Sequence, residues 1–163
     1  FNHAVNYYNL PNNPSRQAGT MGKEIPKEMK FWTKEQYLDF AEAMMDKPIS
    51  YYAFEMLYWT GIREGELLAL TPEDFDFEKH TLRVNKTYHR SKGQDIITSP
   101  KTAKSNRVIV MPEFLCEEMQ DYFKMYYFLQ KNQRIFSFSK SYLKHEMLLG
   151  CKESGVPVIR IHD

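Results

Sequence analysis

Apolar positions along the chain recur at helical spacing in several separated stretches. The segment Phe31-Trp32-Thr33-Lys34-Glu35-Gln36-Tyr37 has a capping-box form, with Thr33 as N-cap and Gln36 three residues on. A helix to about Met45 follows, in which Tyr37, Leu38, Phe40, Ala41, Met44 and Met45 cluster as a core-facing stripe. Tyr51 to Trp59 makes the next helix. Gly61 just after it suits a left-handed C-terminal cap, so the chain turns and starts a second short helix at about Arg63. Leu67, Leu68 and Leu70 bury its apolar side, and Thr71-Pro72-Glu73-Asp74 offers a turn with proline at the first position of a new helical turn. A long helix is expected from about Glu113 to Gln130, with Tyr122, Tyr126 and Tyr127 as packing aromatics on its apolar stripe. Another runs from about Lys140 to Glu153 behind a Ser139 cap.

Between these helical halves the period changes to two. Thr81 to Val84, Ile96-Ile97-Thr98 and Val108-Ile109-Val110 are β-prone runs. Ser91-Lys92-Gly93-Gln94-Asp95 joins the first two, and Ser99 to Asn106 joins the last two, so a three-stranded antiparallel meander is the economical expectation. The fold class is therefore α+β, mainly helical with a small three-stranded antiparallel sheet.

With 163 residues and 42% hydrophobic content the chain can bury one ordinary core. Phe1 to Leu10 reads as the end of an apolar helix, and Pro11 to Gly19, rich in turn formers, as a linker. A boundary is placed near residue 20, giving an N-terminal piece of 1–20 and a main domain of 21–163. Cys116 and Cys151 lie in helical patterns without a second cysteine or histidine at metal spacing, and read as buried thiols of a reducing compartment. No signal peptide or apolar run of membrane length is visible, which favours a cytoplasmic location.

The formal net charge is only +1, which by itself does not suggest a nucleic-acid partner. Its distribution is uneven, however. Lys86, His89, Arg90, Lys92, Lys101, Lys104 and Arg107 crowd one stretch with few acids, while acids gather from Glu113 to Asp121. One basic face could sit on DNA with salt-dependent affinity; the alternative is a solvated hairpin whose lysines guard an exposed edge. Arg63 has its own functional and bland readings. A guanidinium fixed beside a helix break can grip two phosphate oxygens with its planar fork, or it can pair with Glu64 or Glu66 at the surface.

The stretch TGIREGELLALTPEDFDFEKHTLRV resembles the first active-site box of the tyrosine recombinases, the phage and transposon integrase family. SPKTAKSNRVIVMP is similar to the family's "KT...S.R.I.(I/V).(L/M)P" hairpin, and the terminal Ile159-Arg160-Ile161-His162-Asp163 resembles the opening of its "HDLRH" box. The resemblance covers about residues 20 to 163. It implies that Arg63 contacts the scissile phosphate, that Glu66 supports the site, that Lys101 donates a proton to the departing 5′ oxygen, and that His162 moves a proton near neutral pH. Lys104 is the rival of Lys101 for that role and otherwise a DNA contact. Lys86, Arg90 and Lys92 are further candidate DNA contacts, and Arg107 either meets the DNA backbone or packs across the sheet.

The implied activity is site-specific recombination of double-stranded DNA through a 3′-phosphotyrosyl intermediate, integrating or excising mobile DNA, with other recombinase protomers as partners. No metal, cofactor, small-molecule substrate or membrane is implied. Residues 1–20 then correspond to the end of the core-binding domain and a linker, and 21–163 to the N-terminal part of the catalytic domain. The family's second arginine, second histidine and nucleophilic tyrosine are expected after Asp163, so the 163-residue chain is expected to lack cleavage activity. A non-catalytic DNA-binding or accessory module on the same scaffold is the alternative, and a helical interaction domain is a third.

Overall fold

A computed structural model describes residues 1–19, 30–99 and 106–161. The order is α1 (Asn2–Tyr7), α2 (Pro14–Ala18), α3 (Lys34–Ala43), α4 (Pro48–Thr60), α5 (Glu64–Leu67), a 3₁₀ turn (Pro72–Asp74), β1 (Phe75–Asp76), β2 (Thr81–Val84), β3 (Thr87–Ser91), β4 (Gln94–Thr98), β5 (Arg107–Val110), α6 (Glu113–Lys124) and α7 (Lys140–Ser154). The stretch expected to be a linker thus contains the short helix α2, started by the Asn13 side chain accepting from the Ser15 N–H and by Pro14 at its first turn.

The helix boundaries follow local chemistry. Thr33 and Gln36 form the reciprocal capping box at α3, and Ser139 caps α7 by accepting from the Tyr142 N–H. Gly61 ends α4 at φ 62°, ψ 23°, a left-handed cap that a side chain would strain. On α3 the residues at i, i+3, i+4 and i+7 (Tyr37, Phe40, Ala41 and Met44) are buried. Leu38 and Met45, expected in the same stripe, are exposed: Leu38 sits one residue and so about 100° round the helix from that face, and Met45 lies in the turn past the end of α3. Helix α6 stops at Lys124, short of the expected Gln130. Past it Tyr126 turns its hydroxyl to that of Tyr122 at 2.8 Å, whereas Tyr127 stands fully in solvent and packs on nothing.

The sheet differs from a sequential meander. β2 pairs antiparallel with β1 on one side and with β5 on the other, in the register Leu82↔Ile109 and Val84↔Arg107. β3 and β4 form a separate two-stranded hairpin, closed at Ser91↔Gln94 by Lys92 and Gly93, both at positive φ as a two-residue type I′ turn requires. The physical reason lies in burial. Leu82 and Val84 are core residues, while across Thr87–Thr98 only Tyr88 is buried and the two strands of that segment pair with each other. The core itself joins α3, α4, α6 and α7 through Phe40, Met56, Leu67, Leu70, Leu115, Tyr122 and Phe136, and takes in both thiols, Cys116 and Cys151.

Between α4 and α6 the core carries a carboxylate pair. Glu55 is buried and accepts from the Tyr37 hydroxyl at 2.6 Å and the Trp59 indole N–H at 2.7 Å. Glu118 accepts from the Tyr51 hydroxyl at 3.2 Å through one oxygen, while its other oxygen is buried without a hydrogen-bond partner. Burial, and then the charge of Glu55, push the Glu118 carboxyl up to about 6. A carboxyl raised in the folded state contributes stability that is full below its ordinary value and lost as pH rises through about 6. Glu118→Gln is therefore expected to stabilise the protein by about 1 kcal/mol at pH 7.5, after discounting for partial solvent access, and to give no gain near pH 4.5. Urea unfolding at the two pH values checks this; a variant less stable than the parent at pH 7.5 contradicts it.

Candidate phosphate-binding site

At the N-terminus of α5, Arg63 has extended backbone and occupies the N-cap position, while Glu64, Gly65 and Glu66 are buried behind it. Glu66, at the third helical position, reaches back so that its Oε2 accepts from the Arg63 N–H at 2.8 Å. Its Oε1 accepts from Arg63 Nη1 at 3.1 Å. From the first residue of β5, Arg107 adds a bidentate grip, Nη1 to Oε1 at 3.0 Å and Nη2 to Oε2 at 2.8 Å. One carboxylate with 6% side-chain exposure thus orients two guanidiniums, of which Arg63 remains 70% exposed and Arg107 31% exposed.

The electrostatic balance follows. Burial works to raise the Glu66 carboxyl, but the hydrogen bonds from Arg107 and from the Arg63 backbone and side chain outweigh it, and the group is held below the ordinary carboxylate range. Two cations and one anion leave a local excess of one positive charge. Arg63 carries it outward, with Nη1 anchored and the rest of its fork turned to solvent. Such a preset, charged donor set is suited to an anion with several oxygens.

The other expected site residues are placed unequally. Lys86 is tied to the 3₁₀ turn, with Nζ 2.6 Å from Asp74 Oδ2 and donating to Thr71 Oγ1 at 2.8 Å. Arg90 is exposed on the hairpin, donating to the Gly93 carbonyl at 3.2 Å and lying 3.7 Å from Asp95. Lys92 is exposed at the hairpin tip. Lys101, Lys104 and His162 lie outside the described residues. The residues leading to His162 are placed, however: Ile159, Arg160 and Ile161 line a groove of about 590 Å³ together with Gly61, Ile62 and Arg63. Trp32 pins that C-terminal stretch by donating from its indole N–H to the Pro157 carbonyl at 2.7 Å. The structure therefore brings together Arg63, Glu66 and Arg107, and places Arg160 and Ile161 in the same groove as Arg63.

Two residues near this turn were not foreseen. Lys140, at the start of α7, lies 3.5 Å from Glu64. Arg134, before the buried Ile135-Phe136 pair, reaches Leu68, Tyr88 and Asp95. No local spacing signals either, since their partners are far along the chain.

The phage integrase family model matches residues 30–159. The chain belongs to this family, the tyrosine recombinases. It is 27% identical over its whole length to the ICEBs1 integrase of Bacillus subtilis (strain 168), of which it covers 48%. It is 31% identical to a XerC-like tyrosine recombinase of Caldanaerobacter subterraneus subsp. tengcongensis over 75% of the chain and 34% of that protein. Among solved structures, the Tn1549 transposon integrase in complex with circular intermediate DNA superimposes with a TM-score of 0.73 at 22% identity, over 97% of this chain and 60% of that one. The XerA recombinase superimposes with a TM-score of 0.65 at 18% identity, over 88% and 48%. The fold is that of tyrosine recombinase catalytic domains, helices around small antiparallel sheets, and the chain spans about half or less of the length of these curated relatives. Among the described residues, no helix is long and apolar enough to cross a membrane.

Removing Arg107 leaves the Glu66 charge buried with a single exposed partner. Arg107→Met is expected to cost about 2–3 kcal/mol at pH 7. A carboxyl held low contributes stability that is full above its unfolded value and lost as pH falls through its folded one, so the deficit should shrink in acid. Urea midpoints at pH 7 and pH 3 read this out. An equal deficit at both would assign the loss to packing instead of charge.

Proposed function

We propose that this chain is the phosphate-gripping part of a site-specific DNA recombinase. The intact protein cleaves and religates double-stranded DNA through a 3′-phosphotyrosyl intermediate, integrating or excising mobile DNA in the cytoplasm as a set of protomers on DNA. The observation that carries this reading is the exposed guanidinium of Arg63, held by Glu66 from a helix cap in a chain of this family. DNA in the Tn1549 integrase complexes supports the choice of ligand. Residues 1–20 are read as the end of a core-binding domain and its linker, and 21–163 as the N-terminal part of the catalytic domain.

In this mechanism Arg63 grips the non-bridging oxygens of the scissile phosphate, and its fixed charge is worth most as negative charge builds on the five-coordinate phosphorus. Glu66 keeps that fork aimed and is itself kept ionised by Arg107. Lys101 protonates the departing 5′ oxygen, and His162 moves a proton at the same centre. Arg90 and Lys92, exposed on the hairpin, meet the DNA backbone, and Lys104 is a further backbone contact. Lys86 is drawn instead to Asp74, which gives it a part in holding the base of the hairpin. Arginine and the two proton-carrying side chains supply the charge and proton transfers, so the reading invokes neither metal nor nucleotide.

The test uses the protein expressed from its intact gene and a nicked suicide duplex carrying its attachment site. Arg63→Lys should lower covalent adduct formation about 100-fold or more, because an ammonium cannot reproduce the fork, while duplex affinity stays within about threefold. Equal loss of cleavage and binding would make Arg63 a structural residue. A parent protein that binds the duplex yet never forms an adduct would favour the accessory module.

A further inference from the structure

The hairpin β3–β4 carries the exposed cations Arg90 and Lys92 but has little of its own to hold it in place. It pairs with no other strand among the described residues, and across its two strands only Tyr88 is buried. A two-stranded ribbon alone is marginal in water, so its position depends on what docks it. On one side α5 comes very close. A Cβ on Gly65 would stand 2.7 Å from Thr87 Oγ1 and 3.1 Å from the Tyr88 carbonyl oxygen, a gap that only glycine leaves open.

On the other side a single guanidinium makes the connection. Arg134 lies with its central carbon 4.2 Å from the centroid of the Tyr88 ring. Its Nη1 donates to the Leu68 carbonyl, at the C-terminal end of α5, at 3.1 Å, and its Nη2 donates to Asp95 Oδ2 on β4 at 3.2 Å. Asp95 Oδ1 in turn accepts from the Tyr88 hydroxyl at 2.8 Å, closing a ring of contacts that spans both strands. The side chain is 16% exposed, and its backbone is anchored where the Ile135 N–H donates to the Leu70 carbonyl at 2.9 Å.

We propose that Arg134 is a positioning residue for DNA recognition: it fixes the hairpin to the end of α5, so that Arg90 and Lys92 meet the DNA backbone at a set offset from the phosphate gripped by Arg63. The proposal rests on the reading of this chain as a DNA recombinase. Only a planar fork can face the ring while donating in two directions; a lysine retains the charge and loses that simultaneity.

The test compares the 163-residue chain with Arg134→Lys by hydrogen exchange and by duplex DNA binding as a function of salt. In Arg134→Lys, amides of residues 87–98 should exchange about tenfold faster while those of α3, α4 and α7 keep their rates. Affinity for a duplex should fall about fivefold to tenfold, with a salt slope shallower by about one to two phosphate contacts. In a background carrying Arg90→Gln and Lys92→Gln, Arg134→Lys should lower affinity no further, which a general structural defect would not reproduce. Asp95→Asn, at a half-exposed position, removes one arm of the clamp without unsettling the core and should likewise speed hairpin exchange if Arg134 variants fold poorly; since it also releases Arg90, exchange alone is its readout. Unchanged hairpin exchange in Arg134→Lys and Asp95→Asn, with parental DNA binding intact, overturns the positioning role alone. An additive loss of affinity in the cation-free background overturns it too. Absence of salt-dependent duplex binding by the parent removes the recombinase reading and the proposal together.

Discussion

The carboxylate of Glu66 is the constraint on which the site depends. It is almost fully buried, and an ionised carboxylate without partners there would be strongly destabilising. Four donors from two arginines resolve this, and each serves a second purpose. The Arg63 backbone bond fixes the first turn of α5, the Arg63 side-chain bond aims the exposed fork, and the Arg107 pair locks the start of β5 to the helix. A group that satisfies a burial requirement therefore also builds the candidate anion site. The arginine pair would otherwise repel, so neither guanidinium could hold this place without the acid between them.

Much of the positive charge crowded along one stretch of the sequence is paired in the fold. Of the basic residues crowded between Lys79 and Arg107, Lys79 pairs with Asp76, Lys86 with Asp74, Arg90 with Asp95 and Arg107 with Glu66. Asp76 and Asp95 are near their cations along the chain, whereas Asp74 and Glu66 lie outside the basic stretch, and a count along the sequence does not associate those two with Lys86 and Arg107. The outer part of the Arg63 fork and Lys92 at the hairpin tip remain open to solvent. On the proposed DNA reading, such an arrangement would set where a duplex sits more than it raises overall affinity.

What could be read from the sequence follows how local the determining physics is. Thr33, Gly61 and Ser139 act within a few residues of themselves, and the helix starts and stops they imply are where they were expected. The pairing of Arg63 with Glu66 was legible because it spans one helical turn. The sheet was not, because β2 takes β5 as its partner across the whole intervening hairpin, and nothing in Thr87–Ser91 shows alternation beyond the single buried Tyr88. Leu38 and Met45 mark a different limit: apolar residues adjoining a stripe look like part of it until the helix meets its neighbours. Tyr127 lies past a helix that stops earlier than its aromatic run suggested. Arg134 was invisible for the strongest reason, since Leu68, Tyr88 and Asp95 are 66, 46 and 39 residues away and meet it only in the folded chain.

These contacts converge on α5, a helix of four residues that would have no stability alone. Its N-terminal turn is held through Glu66, its middle admits the hairpin at Gly65, and its end offers the Leu68 carbonyl, one of the orphan acceptors of a helix terminus, to Arg134. The strand that leaves the hairpin at Thr98 and the strand that begins at Arg107 are thereby both referred to the same single turn, one through Asp95 and Arg134, the other through Glu66. An element too short to be rigid by itself becomes a common reference because Arg107, the hairpin and Arg134 meet it from different parts of the chain. Movement of the hairpin relative to Arg63 must then break a contact made by Arg134 or distort α5 itself, and the former involves far less of the core.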